Sequence, residues 1–111
     1  MHFKIDHKST ALYELLILKG NLEVSTMSMV ISEFNRIAEM KSNKYLVLDL
    51  SKIEFIDSNG LGLIIKEGQK FKNMNSILYI LNPSETVLKI LRETNMIKYI
   101  PIIEKIDQKS H

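Results

Sequence analysis

Tyr45-Leu46-Val47-Leu48-Asp49-Leu50, followed by Phe55-Ile56-Asp57-Ser58-Asn59-Gly60-Leu61-Gly62, decides the fold. The first run is short and almost wholly apolar, the pattern of a strand buried within a sheet. From Leu61 to Phe71 the period changes. Leu61, Ile64, Ile65 and Phe71 mark the inner face of a helix starting within Asp57 to Gly60. Gly68 lies inside it at a cost of about 1 kcal/mol relative to Ala. Ser58 therefore stands at a strand-to-helix junction, between an acid and two glycines. Backbone N–H groups at a helix start favour added negative charge, so a hydroxyl here is open to modification.

Upstream, Phe3 to His7 alternates as an edge strand does, and Lys8-Ser9-Thr10 reads as a hairpin turn. Ala11 to Lys19 reads as a central strand, because Leu15-Leu16-Ile17-Leu18 is continuous, and Gly20-Asn21 breaks it. Met27, Val30, Ile31, Phe34, Ile37 and Ala38 form one helical face, with Ser25 or Thr26 as N-cap and Lys41 to Lys44 as the end. Downstream, Ser76 to Leu81 is a short strand. Asn82-Pro83-Ser84-Glu85 starts a third helix, which Ser84 can cap and whose stripe is Val87, Ile90 and Leu91. Ile100-Pro101-Ile102-Ile103 is a final edge strand, where proline is tolerated. The order β-β-α-β-α-β-α-β predicts a single-domain α/β fold, with a mixed, mostly parallel sheet covered by helices. The domain is expected over residues 1–106, with 107–111 as a short C-terminal tail.

Bulk properties exclude several functions. At 111 residues, 45% hydrophobic and 25% charged, the chain is an ordinary globular domain. A net charge of +2, with no basic run, points to neither nucleic acid nor a membrane surface. The absence of cysteine excludes disulfides and thiolate chemistry. His2, His7 and His111 show no ligand spacing, so no metal or other cofactor is expected. The start lacks the apolar core of a signal peptide, and no run approaches a membrane span. The expected location is cytoplasmic.

Each motif residue also has a plainer reading. Ser58 or Asp57 can be the helix N-cap. Asn59-Gly60 can be a hairpin turn, although the helical period that follows argues against it. Gly60 and Gly62 can allow close approach of helix and sheet; no phosphate-loop pattern surrounds them. Met27, Met29, Met40, Met74 and Met96 read as core filler. No histidine or lysine is placed beside Ser58 to activate it, so an enzyme is not expected.

With motif and element order together, the chain resembles the STAS domain of bacterial anti-sigma factor antagonists. The resemblance runs from about Phe3 to Ile103. It rests on Leu46 to Leu50 and Phe55 to Gly62, with Gly20-Asn21-Leu22-Glu23 similar to the family's Gly-x-Leu-Asp turn and Asn82-Pro83-Ser84 before the last helix. It implies phosphorylation at Ser58, and a partner surface of Glu23, Asp57, Ser58, Asn59, Gly60 and Leu61. The implied partners are an anti-sigma factor that is also a serine kinase and a metal-dependent serine phosphatase. In such partner switching, the unphosphorylated form captures the anti-sigma factor and frees the sigma factor, and phosphorylation ends the capture. The chain departs from the pattern at Asn59, usually Ser, Thr or Ala, and at Glu23, usually Asp. Neither removes the acceptor hydroxyl. The alternative is a STAS scaffold subunit of a larger signalling or transport complex, in which Ser58 is never phosphorylated.

Overall fold

A computed structural model describes residues 2–106; the expected tail at 107–111 lies outside them. Five strands form one sheet in the order β1-β2-β3-β4-β5: β1 Lys4–Ser9, β2 Tyr13–Leu22, β3 Tyr45–Ile56, β4 Leu78–Leu81 and β5 Ile102–Ile103. β1 and β2 are antiparallel, and the other neighbours are parallel. Three helices make the crossovers: α1 Met27–Met40, α2 Ser58–Asn73 and α3 Glu85–Glu93.

Strand order follows chain order without reversal. Parallel crossovers are right-handed. Repeated steps in one direction therefore put every helix on the same face. The core bears this out: Leu16, Leu18, Leu46, Leu48, Leu50, Leu78 and Ile80 from the strands cluster with Phe34 of α1, Ile64 of α2, and Val87 and Leu91 of α3. The residues between them point the other way. Tyr13, Leu15, Ile17, Tyr79 and Leu81 are part-exposed, Tyr45 is exposed, and none belongs to the core cluster. The rings of Tyr45 and Tyr79 meet edge to face at 5.7 Å. Leu15-Leu16-Ile17-Leu18 thus divides between a covered face and a bare one.

Several boundaries differ from the sequence reading. Gly20-Asn21 does not end β2, because Gly20 takes φ +111° and the pairing with β3 slips there, letting the strand run on to Leu22. β3 likewise runs past Leu50 to Ile56. The hairpin turn starts at Thr10, whose Oγ1 accepts from the N–H groups of Leu12 and Tyr13, while Ser9 stays in the strand. Thr26 occupies the N-cap of α1 but does not cap it. Its Oγ1 donates to the Asn21 carbonyl at 2.8 Å and accepts from Glu23 N–H, closing a 3-10 turn at Val24–Thr26. Ser76 belongs to the exit of α2, its N–H donating to the Phe71 carbonyl, so β4 begins at Leu78. Met27 and Met96 pack on the core, whereas Met29, Met40 and Met74 are exposed.

Where caps agree, they agree in detail. Ser84 caps α3, its hydroxyl accepting from Val87 N–H at 3.3 Å, and its own N–H reaches the Leu50 carbonyl at 3.1 Å. Gly68 lies in the interior of α2, and a Cβ there would sit 3.5 Å from Ile100 and 3.6 Å from Leu78, ordinary contact distances. Gly68→Ala is therefore expected to stabilise the fold by up to about 1 kcal/mol, read as a higher urea midpoint with an unchanged slope.

At the end of the sheet where β2 and β3 begin, Glu14 is buried at 1% exposure. Its carboxylate accepts from Ser9 Oγ, from His7 Nε2 at 2.7 Å and from Lys44 Nζ at 3.0 Å. Arg36 on α1 donates to His7 Nδ1 at 3.0 Å, so the imidazole proton lies on Nε2, toward Glu14. Burial pushes the Glu14 carboxyl up, but the bonds from Ser9, His7 and Lys44, with the Lys44 charge, outweigh it and hold the group below the ordinary carboxylate value. A lowered folded value stabilises the protein above the unfolded value, and that contribution disappears as pH falls through the folded one. The urea midpoint of the native protein is thus expected to fall more steeply than that of Glu14→Gln on acidification from about pH 6 to about pH 3. Parallel curves would contradict it.

Candidate functional site

The end of β2 and the end of β3 meet at the opposite end of the sheet. Asn21 pairs with Phe55, and Leu22 pairs with Ile56. Two segments leave from there side by side: Glu23-Val24 into the 3-10 turn, and Asp57-Ser58 into α2. The Asp57 N–H donates to the Leu22 carbonyl at 3.2 Å, tying the two together.

Asp57 is the N-cap of α2. Its backbone is extended, at φ −99° and ψ 179°, and Oδ1 accepts from Gly60 N–H at 2.8 Å. Its carbonyl accepts from Leu61 N–H, the first bond of the helix. The plainer reading of Asp57 is thus the observed one, and this releases Ser58 from capping. Ser58 is the first helical residue and is exposed, as is Asn59. No partner within the described residues hydrogen-bonds to the Ser58 hydroxyl or the Asn59 amide. The hairpin reading of Asn59-Gly60 is overturned, because both lie inside α2.

The two glycines have different reasons. A Cβ on Gly60 would lie 2.6 Å from the Leu22 carbonyl oxygen and 2.9 Å from Leu22 Cγ, so only glycine lets α2 start this close to β2. Nothing lies within 4 Å of the corresponding point on Gly62, so the close-approach reading does not hold there. Gly60 and Leu61, placed by the resemblance at the partner surface, are buried instead; Leu61 is 4% exposed and packs in the core. What faces outward is Ser58, Asn59 and Gly62, with Asp57 and Glu23 half-buried beside them.

Two apolar residues that the sequence reading does not single out are exposed at this end of the sheet. Val24 is 66% exposed in the turn after Glu23, and Phe55 is 47% exposed near the end of β3. An apolar side chain in a turn, and one in a strand run next to polar neighbours, are the signals that mark them.

The arrangement suits a gain of negative charge. The first N–H groups of a helix have no partner within it, and the helix dipole is positive there. Gly60 N–H is taken by Asp57, which leaves those of Ser58 and Asn59 for an added phosphate. No general base contacts the Ser58 hydroxyl among the described residues, so it is not set up as a nucleophile. No group of three His, Cys, Asp or Glu side chains capable of holding a metal ion occurs among the described residues.

A family model described as the STAS domain matches residues 9–109. The chain is 24% identical, over 87 residues, to the anti-sigma F factor antagonist of Paenibacillus polymyxa, covering 78% of this chain and 74% of that protein. Its fold is similar to that of an anti-sigma factor antagonist from Mycobacterium paratuberculosis, with a TM-score of 0.83 and 16% identity over 96% of this chain and 89% of that one. It is also similar to the Bacillus cell fate determinant SpoIIAA in its phosphorylated form, with a TM-score of 0.69 and 17% identity over 91% and 90% of the two chains.

Proposed function

Because the chain belongs to the STAS domain family, we propose that it is an anti-sigma factor antagonist that works by partner switching, with Ser58 as the phosphorylation site. In this reading the unmodified protein binds an anti-sigma factor that is also a serine kinase and so frees a sigma factor. Phosphorylation of Ser58 ends the binding, and a metal-dependent serine phosphatase restores it. The protein acts in the cytoplasm. No helix among the described residues is long and apolar enough to cross a membrane.

The observation that carries this reading is the Ser58 hydroxyl: exposed, without a hydrogen bond, and first in a helix already capped by Asp57. A phosphate there adds about −1.5 to −2 charges. The orphan N–H groups and dipole offset that charge within the domain, whereas a docked partner has to desolvate it. Val24, exposed in the turn next to Glu23, supplies the apolar contact that such docking requires. The kinase transfers the γ-phosphoryl of ATP to Ser58 Oγ, the bond from the γ-phosphorus to the β–γ bridging oxygen breaks to release ADP, and the hydroxyl proton leaves to the kinase's base.

The test is a pull-down of the unmodified protein from its own cell lysate, followed by addition of ATP and intact-mass analysis. A gain of about 80 Da mapping to Ser58, with release of the captured protein, is expected. Phosphate on another residue, or release without phosphate, contradicts the proposal.

A further inference from the structure

The far border of the sheet carries a groove that the Ser58 site does not use. β5 is the last strand, and its one neighbour is β4. In that ladder Ile80 N–H donates to the Pro101 carbonyl at 2.9 Å, and Asn82 N–H donates to the Ile103 carbonyl at 2.7 Å. Pro101 and Ile103 thus face β4. Successive strand residues turn their backbone groups to opposite sides, so the N–H and C=O of Ile102 face outward. No strand among the described residues lies on that side.

Beside this edge a cavity of about 700 Å³ opens between α3 and the segment 97–104. Leu88, Ile97 and Ile102 supply its apolar lining. Its charged lining is Arg92, Lys98 and Glu104, two cations against one acid. Arg92 is exposed, and its guanidinium makes no hydrogen bond or ion pair among the described residues. Lys98 Nζ lies 5.3 Å from the centre of the Tyr99 ring and meets no carboxylate among the described residues.

We propose that this groove is a second binding site, which takes an extended, acidic peptide segment as an added strand beside β5. Each feature selects one part of such a ligand. The outward N–H and C=O of Ile102 bond its backbone, as in strand addition. The apolar lining takes alternate side chains. Arg92 and Lys98 receive its carboxylates through charge-assisted hydrogen bonds, and these two cations outnumber Glu104, the one lining acid that opposes them. A cavity of this volume lies in the range of ligand-binding clefts. The site goes beyond the Ser58 reading and does not depend on it.

The test titrates the ¹⁵N-labelled chain with the blocked peptide Glu-Val-Glu-Val-Glu-Val and, separately, with Lys-Val-Lys-Val-Lys-Val. The acidic peptide is expected to shift the amides of Lys98, Ile102 and Glu104, and the basic one to leave them in place. The double variant Arg92→Gln, Lys98→Gln, exposed at both positions, is expected to keep the native spectrum and to weaken binding about tenfold or more. Ile102→Pro removes the outward donor and is expected to abolish binding, whereas Ser58→Asp binds the peptide unchanged. Equal binding of the two peptides overturns the proposal. So do shifts confined to the bare sheet face, silence at millimolar peptide, or displacement of the peptide by single-stranded oligonucleotide.

Discussion

Ser58→Asp is expected to bind the captured anti-sigma factor about a thousandfold more weakly than Ser58→Ala, a difference of about 4 kcal/mol. Both variants are expected to unfold at the same urea concentration as the native chain. The two halves of this expectation have separate causes. Ser58 is exposed and bonds to nothing among the described residues, so replacing it removes no internal contact. A carboxylate at the first helical position is also favourable to the helix. At an interface the same charge loses its water, and a buried charge without a counter-ion costs several kcal/mol. The measurement is affinity by calorimetry or surface binding, paired with equilibrium unfolding of all three forms. Equal affinity of the Asp and Ala variants would show that charge at this position is not the switch. A large stability loss in the Asp form would show that the weakening came through the fold.

Gly60→Ala is expected to lower stability by about 3 kcal/mol or more, the upper end of overpacking. The added Cβ would lie 2.6 Å from the Leu22 carbonyl oxygen. That oxygen cannot simply withdraw, because it accepts the Asp57 N–H. Moving the helix instead would break the cap between Gly60 N–H and Asp57 Oδ1. Total stability of a domain this size is about 5–15 kcal/mol, so the loss is a large share of it. Gly62→Ala, two residues on, is the control. Its Cβ would meet nothing within 4 Å, and the change is expected to be neutral or to stabilise by up to about 1 kcal/mol. The pair is read by urea unfolding monitored by far-UV circular dichroism. Similar midpoints for the two variants would contradict the contact that sets them apart.

The candidate site is partly legible in the sequence. Ser58 stands out because a hydroxyl beside an acid lies where the apolar period changes from strand to helix. Sequence does not choose the cap, because Asp57 and Ser58 are adjacent and either side chain suits an N-cap. Nor does it separate Gly60 from Gly62, since the difference lies in a carbonyl of Leu22, distant in the chain. The resemblance places Leu61 at the partner surface, whereas the helical period places it on the inner face, and its burial in the core agrees with the period. Glu14 gives no signal at all. Its burial is made tolerable by Lys44, thirty residues away, and by His7 and Ser9 on the neighbouring strand.

Periodicity and turn chemistry are enough to establish the element order, the strand-helix junction at Asp57 to Gly60, the Ser84 cap and the parallel sheet. These are short-range matters, settled by how a residue's own shape and polarity fit a helix or a strand. Three-dimensional packing decides the rest: that all the helices lie on one side, leaving Leu15, Ile17 and Tyr79 on a bare face; that Asp57 caps and Ser58 is free; and that Gly60 is a packing requirement while Gly62 is not. Those outcomes depend on which distant segment comes within a few ångströms, and local pattern carries no record of that distance.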